Sequence, residues 1–331
     1  MLFPSCADQS RRQEVHLIGT APPTECFVMI ECPPPWGHSI QQAKGLPTAL
    51  REMLDKPDDK KRGIRFFLIH GSCDVDPKTH SQNFFGRRVL IFQRPHGFAS
   101  EYQTTEIQVS NLDEAAIAIQ QYFAGDNLSC WTQSTLMRDI FICTHGQHDR
   151  CCGRYGYPFY RSAQQLKSEW NIPNLRFWQI SHIGGHRFAP TLIDLPQGRY
   201  YGRMDLDSLK QLILYRGNWQ LLIERYRGWS LLPSPLQTLE CLFWQNQGWQ
   251  WLIHDIRHEV LDISDNRQRW QAEFAHRDTD GLVHQWWAEI VEDVSQRVSI
   301  MGSCGDTKEL LSKRYQISAL RAMSNVEQTV A

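Results

Sequence analysis

Two cysteines and two histidines near the middle of the chain have the types and spacing to hold a metal. Cys143 and Cys152 are separated by eight residues in CTHGQHDRCCG, and His182 and His186 by three in SHIGGHRF. Two soft thiolates and two imidazoles brought to one point suit zinc, or a 2Fe–2S cluster with cysteine on one iron and histidine on the other. Cys143 closes the apolar run DIFICTH and His182 closes LRFWQISHI, so both pairs are expected on loops that follow strands. Gly184 and Gly185 lie between the histidines and argue against an ordinary helical i, i+4 pair. Cys151 precedes Cys152 directly, and spacing alone leaves open which is the second thiolate. A second His-x3-His pair, His254 and His258 in WQWLIHDIRHEV, has no cysteine pair near it and is read as helix-face or surface residues.

The segments CTHGQHDRCCGRYGYP and SHIGGHRFAPTLIDLPQGRYYGRMD, with GTAPPTECFVMIECPPPWGHS before them, resemble the sucrase/ferredoxin-like family of thioredoxin-like ferredoxins. The likeness runs from about Gly19 to Gln237. In that family's eukaryotic branch a Cys-x8-Cys and His-x3-His set ligates a 2Fe–2S cluster. The resemblance therefore implies Cys143, Cys152, His182 and His186 as cluster ligands. Bacterial relatives often carry Asp at the second histidine position, so His186 sides with the cluster-binding branch. Nothing here supports the word sucrase, because no pair of carboxylates stands in a recognisable glycosidase setting.

The elements that must position these ligands repeat. CFVMIEC reads as a strand, LPTALREMLDK as a helix, GIRFFLIHG, RRVLIFQR and YQTTEIQVS as strands, and LDEAAIAIQQYFAG as an amphipathic helix. RDIFICTH, YPFYRSAQQLKSEW, LRFWQISHI, TLIDL, RYYGRMD and LDSLKQLILYRG follow the same order. The expected fold is α/β: two consecutive thioredoxin-like lobes plus a small α+β appendage. The expected organisation is a lead-in at 1–18, a lobe without an assigned cluster at 19–128, the ferredoxin lobe at 129–227 and the appendage at 228–331. Pro190 sits where the resemblance places a cis proline. In the first lobe Cys32 is matched to Cys143, His70 stands near the position of His182, and with Cys73 they form a conceivable vestigial set. In the appendage ECLFWQNQGWQWLIHDIRH is expected as a helix. RQRWQAEFAHRDTDGLVHQWWAEIVED is expected as a hairpin across DTDG, RVSIMGSC as a strand and GDTKELLSKRY as a short helix. Cys6 lies in the lead-in and Cys304 in the appendage. Cys304 is read as a plain buried or surface cysteine, with a redox thiol as the sharper alternative.

Composition bounds the function. The 331 residues are 41% hydrophobic and 21% charged, as in an ordinary globular protein. The formal net charge of −1 argues against nucleic acid as a partner. No apolar run approaches the ~18 residues of a membrane span, and no membrane is expected. Ten dispersed cysteines behind a start without a signal-peptide pattern point to reduced thiols in the cytoplasm.

The leading expectation is an electron-transfer protein, a redox carrier more than a substrate-converting enzyme, that works with a redox partner protein. Histidine ligation leaves one iron less negative, which places the potential above that of an all-cysteine cluster. The second imidazole nitrogen could couple a proton to the electron. One alternative is a zinc-stabilised structural or interaction module; another is a thiol oxidoreductase using the Cys151–Cys152 region. Asp149, His145 and His148 in the ligand loop are read as surface polar residues, with hydrogen bonds to the ligands as the alternative. Arg150, Arg154, Arg161, Arg187, Arg199 and Arg203 suggest a basic face for an acidic partner, or ordinary salt-bridging.

Overall fold

The computed structural model describes residues 5–56, 59, 61–71, 86–126, 132–133, 137–170, 172–304 and 309–323. Cys73 lies outside them. Two compact units divide the chain, one from Thr24–Gln93 with Gln103–Pro196, the other from Met1–Pro23, Arg94–Tyr102 and Gln197–Ala331. The fold is α/β, with a large mixed sheet, several helices and additional antiparallel sheets. Among the described residues no helix is long and apolar enough to cross a membrane.

A short helix, α1 (Cys6–Arg12), precedes the strands. The first half of the ligand-bearing unit then runs β1 (Cys26–Glu31), α2 (Thr48–Leu54), β2 (Ile64–His70), β3 (Arg87–Gln93), β4 (Gln103–Val109) and α3 (Leu112–Ala124). The second half runs β5 (Thr132–Gln133), β6 (Arg138–Cys143), α4 (Tyr157–Trp170), β7 (Leu175–Ile180) and β8 (Leu192–Leu195). β1 is CFVMIE, almost wholly apolar, because a central strand with both faces covered has no water-facing side. α3 starts where Asn111 accepts from the Glu114 N–H and stops at Gly125, which takes φ 78°. Its face of Ala115, Ala116, Ala118 and Ile119 packs into the core with Val28, Ile30, Val89 and Ile91.

The repeat expected from the sequence is present, and both halves share one sheet. β1 pairs parallel with β2 and antiparallel with β3; β6 pairs parallel with β7 and antiparallel with β8. The halves meet where β2 and β7 run antiparallel, through Ile69 opposite Ile180 and His70 opposite Gln179. Within this unit the strand order is β8-β6-β7-β2-β1-β3-β4-β5, a pattern with approximate two-fold symmetry about the β2–β7 seam. In the second half, Cys143 is in register with Ile180, so β6 and β7 end together and their following loops leave the same edge. Open α/β sheets place their sites at such carboxyl ends.

Beneath that edge lies a buried ionic cluster. Arg176 on β7 donates to Asp139 on β6 at 2.7 and 2.9 Å and to Glu106 on β4 at 2.8 Å. Trp178 adds an indole N–H to Asp139 at 2.7 Å, and Arg138 makes a two-pronged contact with Asp194 on β8.

The other unit begins its strands with β9 (Arg199–Tyr201) and continues through α5 (Leu206–Leu214), α6 (Trp219–Ile223), β10 (Tyr226–Trp229) and α7 (Ser234–Gln247). β11 (Asp255–Ile263), β12 (Arg269–Arg277) and β13 (Val283–Glu292) follow, then β14 (Val298–Met301), β15 (Glu309–Ser312) and β16 (Tyr315–Ala322). β11, β12, β13 and β16 form an antiparallel sheet, and β14 pairs with β15 as a ribbon. The expected hairpin is there: Arg277 faces Val283 across the DTDG turn. Two expectations are corrected. ECLFWQNQGWQWLIHDIRH is not one helix: α7 ends at Gln247 before Gly248, which takes φ 62°, a tight helical turn covers Gly248–Ile253, and β11 starts at Asp255. In GDTKELLSKRY the expected helix gives way to strand at Glu309–Ser312, which finds backbone partners in Val298–Met301. Arg199 follows the salt-bridging alternative and does not belong to a basic face. It is fully buried, bonded to Glu240 at 2.6 Å and Tyr226 at 2.9 Å, with its guanidinium 3.8 Å from the Trp229 ring centre.

The Arg176 cluster yields a stability prediction. Asp139→Ala leaves a buried guanidinium with half of its compensation gone, at an expected cost of about 3–5 kcal/mol. Urea unfolding followed by tryptophan fluorescence should show that loss; a change within about 0.5 kcal/mol would mean the cluster is solvated.

Candidate metal centre

β6 delivers Cys143 as its last residue, fully buried, with its N–H bonded to the Thr191 carbonyl at 3.0 Å. The chain then turns through Thr144–Arg150 and enters a helix whose early part, Cys152–Gly156, is a wider π-type turn that runs into α4. Such turns recur at functional sites because they re-aim a side chain without ending the helix. Gly156 is what lets this turn lie against the end of β6: a Cβ there would collide with the Cys143 carbonyl. From β7 the chain reaches His182 two residues beyond Ile180, then passes through Gly184 (φ 84°) and Gly185 (φ 75°) to His186. Two successive left-handed residues turn the backbone sharply, a conformation glycine adopts without steric cost. The following Ala189–Pro190 bond is cis, as expected for Pro190.

These elements bring Cys143, Cys152 and His182 together, with one donor atom of each within 4.8 Å of the others. Cys152 Sγ lies 3.6 Å from His182 Nδ1. It is Cys152 whose sulfur joins this group; Cys151 donates its backbone N–H to Asp149 Oδ1 at 2.8 Å. Burial pushes the Cys143 thiol up, but hydrogen bonds from Cys152 and His182 outweigh it and hold Cys143 well below the usual thiol range. The Cys152 thiol is correspondingly raised, first because it shares its proton with Cys143 and then by burial.

His186 is buried beside them, its ring 5.4 Å centre to centre from that of His182. Its Nδ1–H donates to Asp149 Oδ2 at 3.0 Å, which leaves Nε2 as its donor toward a metal. Asp149 is therefore a buried orienting group and not the surface residue expected from the sequence. His145 is also buried. Its Nδ1 accepts the His182 N–H at 3.2 Å and its Nε2–H donates to the Gly37 carbonyl at 2.7 Å, so both ring nitrogens are used and the neutral form is fixed. Burial lowers its pKa further. His148 stacks on His182 at 4.0 Å and donates Nδ1–H to the His38 carbonyl at 2.9 Å.

Sequence reading missed the loop PPPWGHS. His38 returns a bond to the Gln147 carbonyl at 3.3 Å and stacks on His148 at 5.3 Å, while Trp36 meets the His145 ring edge-on at 5.5 Å. The loop from the first half thus clamps the ligand loop of the second. The WGH triplet lay within a segment quoted for its family likeness, and nothing in its spacing tied it to Cys143. Beside the clamp opens a cleft of about 470 Å³, lined by Leu54, Lys56, Phe66, His148 and His182 among others.

The match of Cys32 with Cys143 is corrected by backbone register, while His70 falls one residue short of the His182 position. Cys32 N–H donates to the Ile69 carbonyl as Thr144 N–H donates to that of Ile180. Cys32 therefore aligns with Thr144, Glu31 with Cys143, and Gly71 with His182. A one-residue slip reverses the face of a strand side chain. Among the described residues neither Cys32 nor His70 joins a set of three metal donors. His254 follows a turn and His258 lies on β11, so that pair does not share a helix face.

The fold and site define an α/β protein with a loop-borne group of cysteine and histidine side chains suited to a metal. The chain belongs to the sucrase/ferredoxin-like family, which matches residues 17–228. It is 28% identical over 153 residues to "Altered inheritance of mitochondria protein 32" of Meyerozyma guilliermondii, covering 44% of this chain and 49% of that protein. The protein of the same name in Saccharomyces cerevisiae (strain ATCC 204508 / S288c) is 25% identical over 221 residues, covering 60% and 69%. That of Saccharomyces kudriavzevii is 22% identical over 225 residues, covering 58% and 70%. The chain thus spans about half of the first relative's length and some two thirds of the others'. No solved structure matches it.

The geometry separates the roles of neighbouring residues. Single alanine substitutions of Cys143, Cys152 or His182 should abolish metal retention through dialysis against a chelator, whereas Cys151→Ala should retain it. Asp149→Asn should weaken affinity by about 10–100-fold, the usual effect of losing a ligand's orienting partner. Retention by Cys152→Ala together with loss by Cys151→Ala would reverse the assignment within the doublet.

Proposed function

We propose that this chain is an electron-transfer protein that holds a 2Fe–2S cluster on Cys143, Cys152, His182 and His186, in a thioredoxin-like ferredoxin lobe. The observation that carries the reading is the convergence of Cys143, Cys152 and His182, with His186 held nearby through Nδ1 by a buried carboxylate. The donors fall into two kinds: two buried sulfurs from the β6 side, and two imidazoles from the β7 side. That division suits two metal ions of unlike ligation. A 2Fe–2S cluster bound there takes up and returns one electron, at a potential above that of an all-cysteine cluster.

The protein's own residues supply orientation and access. Asp149 fixes the ring of His186 and its tautomer, and His145 positions the His182 backbone. His182 is half-buried and lines the cleft, so it is the ligand nearest an approaching partner. Arg150, Arg154 and Arg161 are exposed along the helix that carries Cys152 and would favour an acidic redox protein. The cytoplasm remains the proposed compartment, from cysteine usage. The relatives' name concerns the inheritance of mitochondria and offers a mitochondrial setting beside it.

Zinc is the second reading, because three donors within 4.8 Å also suit a tetrahedral ion. Anaerobic purification decides between them. The cluster reading expects a red-brown protein with two irons and two acid-labile sulfides per chain. A colourless protein with one zinc per chain would overturn it. If His182→Cys retains the cluster, voltammetry should show a lower potential than wild type, since a thiolate adds negative charge to one iron. An unchanged potential would remove His182 from the ligand set.

A further inference from the structure

Two further sulfurs, neither of them among the candidate cluster ligands, meet in the other unit. Cys6 opens α1 and Cys304 lies in the turn after β14; they are 298 positions apart, yet their Sγ atoms are 3.4 Å apart. Both lie in the unit that holds the chain's first and last described segments, and outside the residues matched to the family. We propose that Cys6 and Cys304 form a reversible thiol–disulfide pair that a small disulfide such as oxidised glutathione closes and a dithiol reopens.

The approach of the sulfurs is enforced by contacts that do not involve them. Ser5 caps α1 by accepting the Asp8 N–H at 3.2 Å. Arg203 holds the far end of the helix, donating to the Ser10 carbonyl at 2.9 Å and the Val15 carbonyl at 3.0 Å. Gln13 donates to the Ser299 carbonyl on β14 at 3.3 Å, tying the helix to the ribbon that presents Cys304. A disulfide S–S bond is about 2.0 Å long, so closure needs an inward movement of roughly 1.4 Å. Cys304 stands in a turn, where the backbone can supply that movement.

Exposure assigns the order of events. Cys304 is partly exposed and Cys6 is 2% exposed. The Cys304 thiolate attacks one sulfur of oxidised glutathione and releases one glutathione thiolate, forming a mixed disulfide. The Cys6 thiolate then attacks Cys304 Sγ and expels the second glutathione. Two cysteine thiols lose two protons and two electrons, and one glutathione disulfide becomes two thiols. Among the described residues Cys26 and Cys241 are buried without a sulfur neighbour of this kind, and burial pushes the Cys26 thiol up to about 12. In a reducing compartment such a pair rests open and closes only under oxidation, as redox-sensing disulfides do.

The test uses the full chain, purified anaerobically and equilibrated in glutathione buffers of rising oxidised fraction. Differential alkylation and peptide mass spectrometry under non-reducing conditions should find a Cys6–Cys304 cross-link that dithiothreitol removes. Cys6→Ser should stop the reaction at a stable glutathione adduct on Cys304, and Cys304→Ser should leave Cys6 unmodified. Oxidised wild type should melt at a higher temperature than reduced, and neither variant should show that shift, because a cross-link restricts the unfolded chain. Absence of the cross-link in wild type at full oxidation would overturn the proposal. So would protection of both thiols that ends only when a chelator strips bound zinc, which would make them metal ligands.

Discussion

Parallel pairing of β6 with β7 is the constraint on which the centre depends. The register that sets Cys143 opposite Ile180 ends both strands at one edge of the sheet, and each loop carries its donors away from that edge. Because the pairing is parallel, a helix must cross between the strands, and α4 with its π-type turn is that crossover. Cys152 belongs to the start of the crossover and Cys143 to the end of the strand before it. The two thiols are thereby joined by topology, and the glycine at 156 permits the close approach that this requires. The ionic cluster of Arg176, Asp139 and Glu106 binds the same strands below the site, so the register rests on a second set of buried contacts.

A second set of interactions turns proximity into geometry. Asp149 accepts from both the Cys151 backbone and the His186 ring, so one carboxylate orders the cysteine loop and orients a ligand from the histidine loop. His145 does the reverse, rising from the cysteine loop to accept the His182 N–H. These two cross-links are reciprocal, and each needs its residue unprotonated at the accepting atom. The PPPWGHS loop closes the arrangement from the other half of the sheet through Gly37, His38 and Trp36.

Much of this was legible in the sequence. Apolar or alternating runs marked every strand of the ligand-bearing unit outside the two-residue β5, and the repeated order marked the two halves. The Gly184–Gly185 pair announced a non-helical histidine loop, because only a sharp turn needs two such residues. What failed has a common cause. Asp149, His145 and His38 have polar side chains that look like surface residues until tertiary contacts bury or pair them. Arg199 could not be assigned between a basic face and a salt bridge for the same reason, since its partner Glu240 is 41 residues away. The appendage misled because WQWLIHDIRHEV is apolar at both helical and alternating positions, and the choice was made by pairing with Arg269–Arg277.

The approximate symmetry of the sheet shows why a repeated fold need not repeat a site. At the position aligned with Cys143 the first half has Glu31, which accepts the Arg88 N–H at 3.2 Å and so serves strand pairing. At the position aligned with His182 it has Gly71, where a side chain would strike the Trp178 ring of the second half. That collision sits at the β2–β7 seam, one of the places where each half constrains the other. The first half yields space there to an indole whose N–H bonds Asp139 in the ionic cluster. It contributes its PPPWGHS loop to the outside of the centre. One half holds the ligands, and the other holds the ligand loop in place.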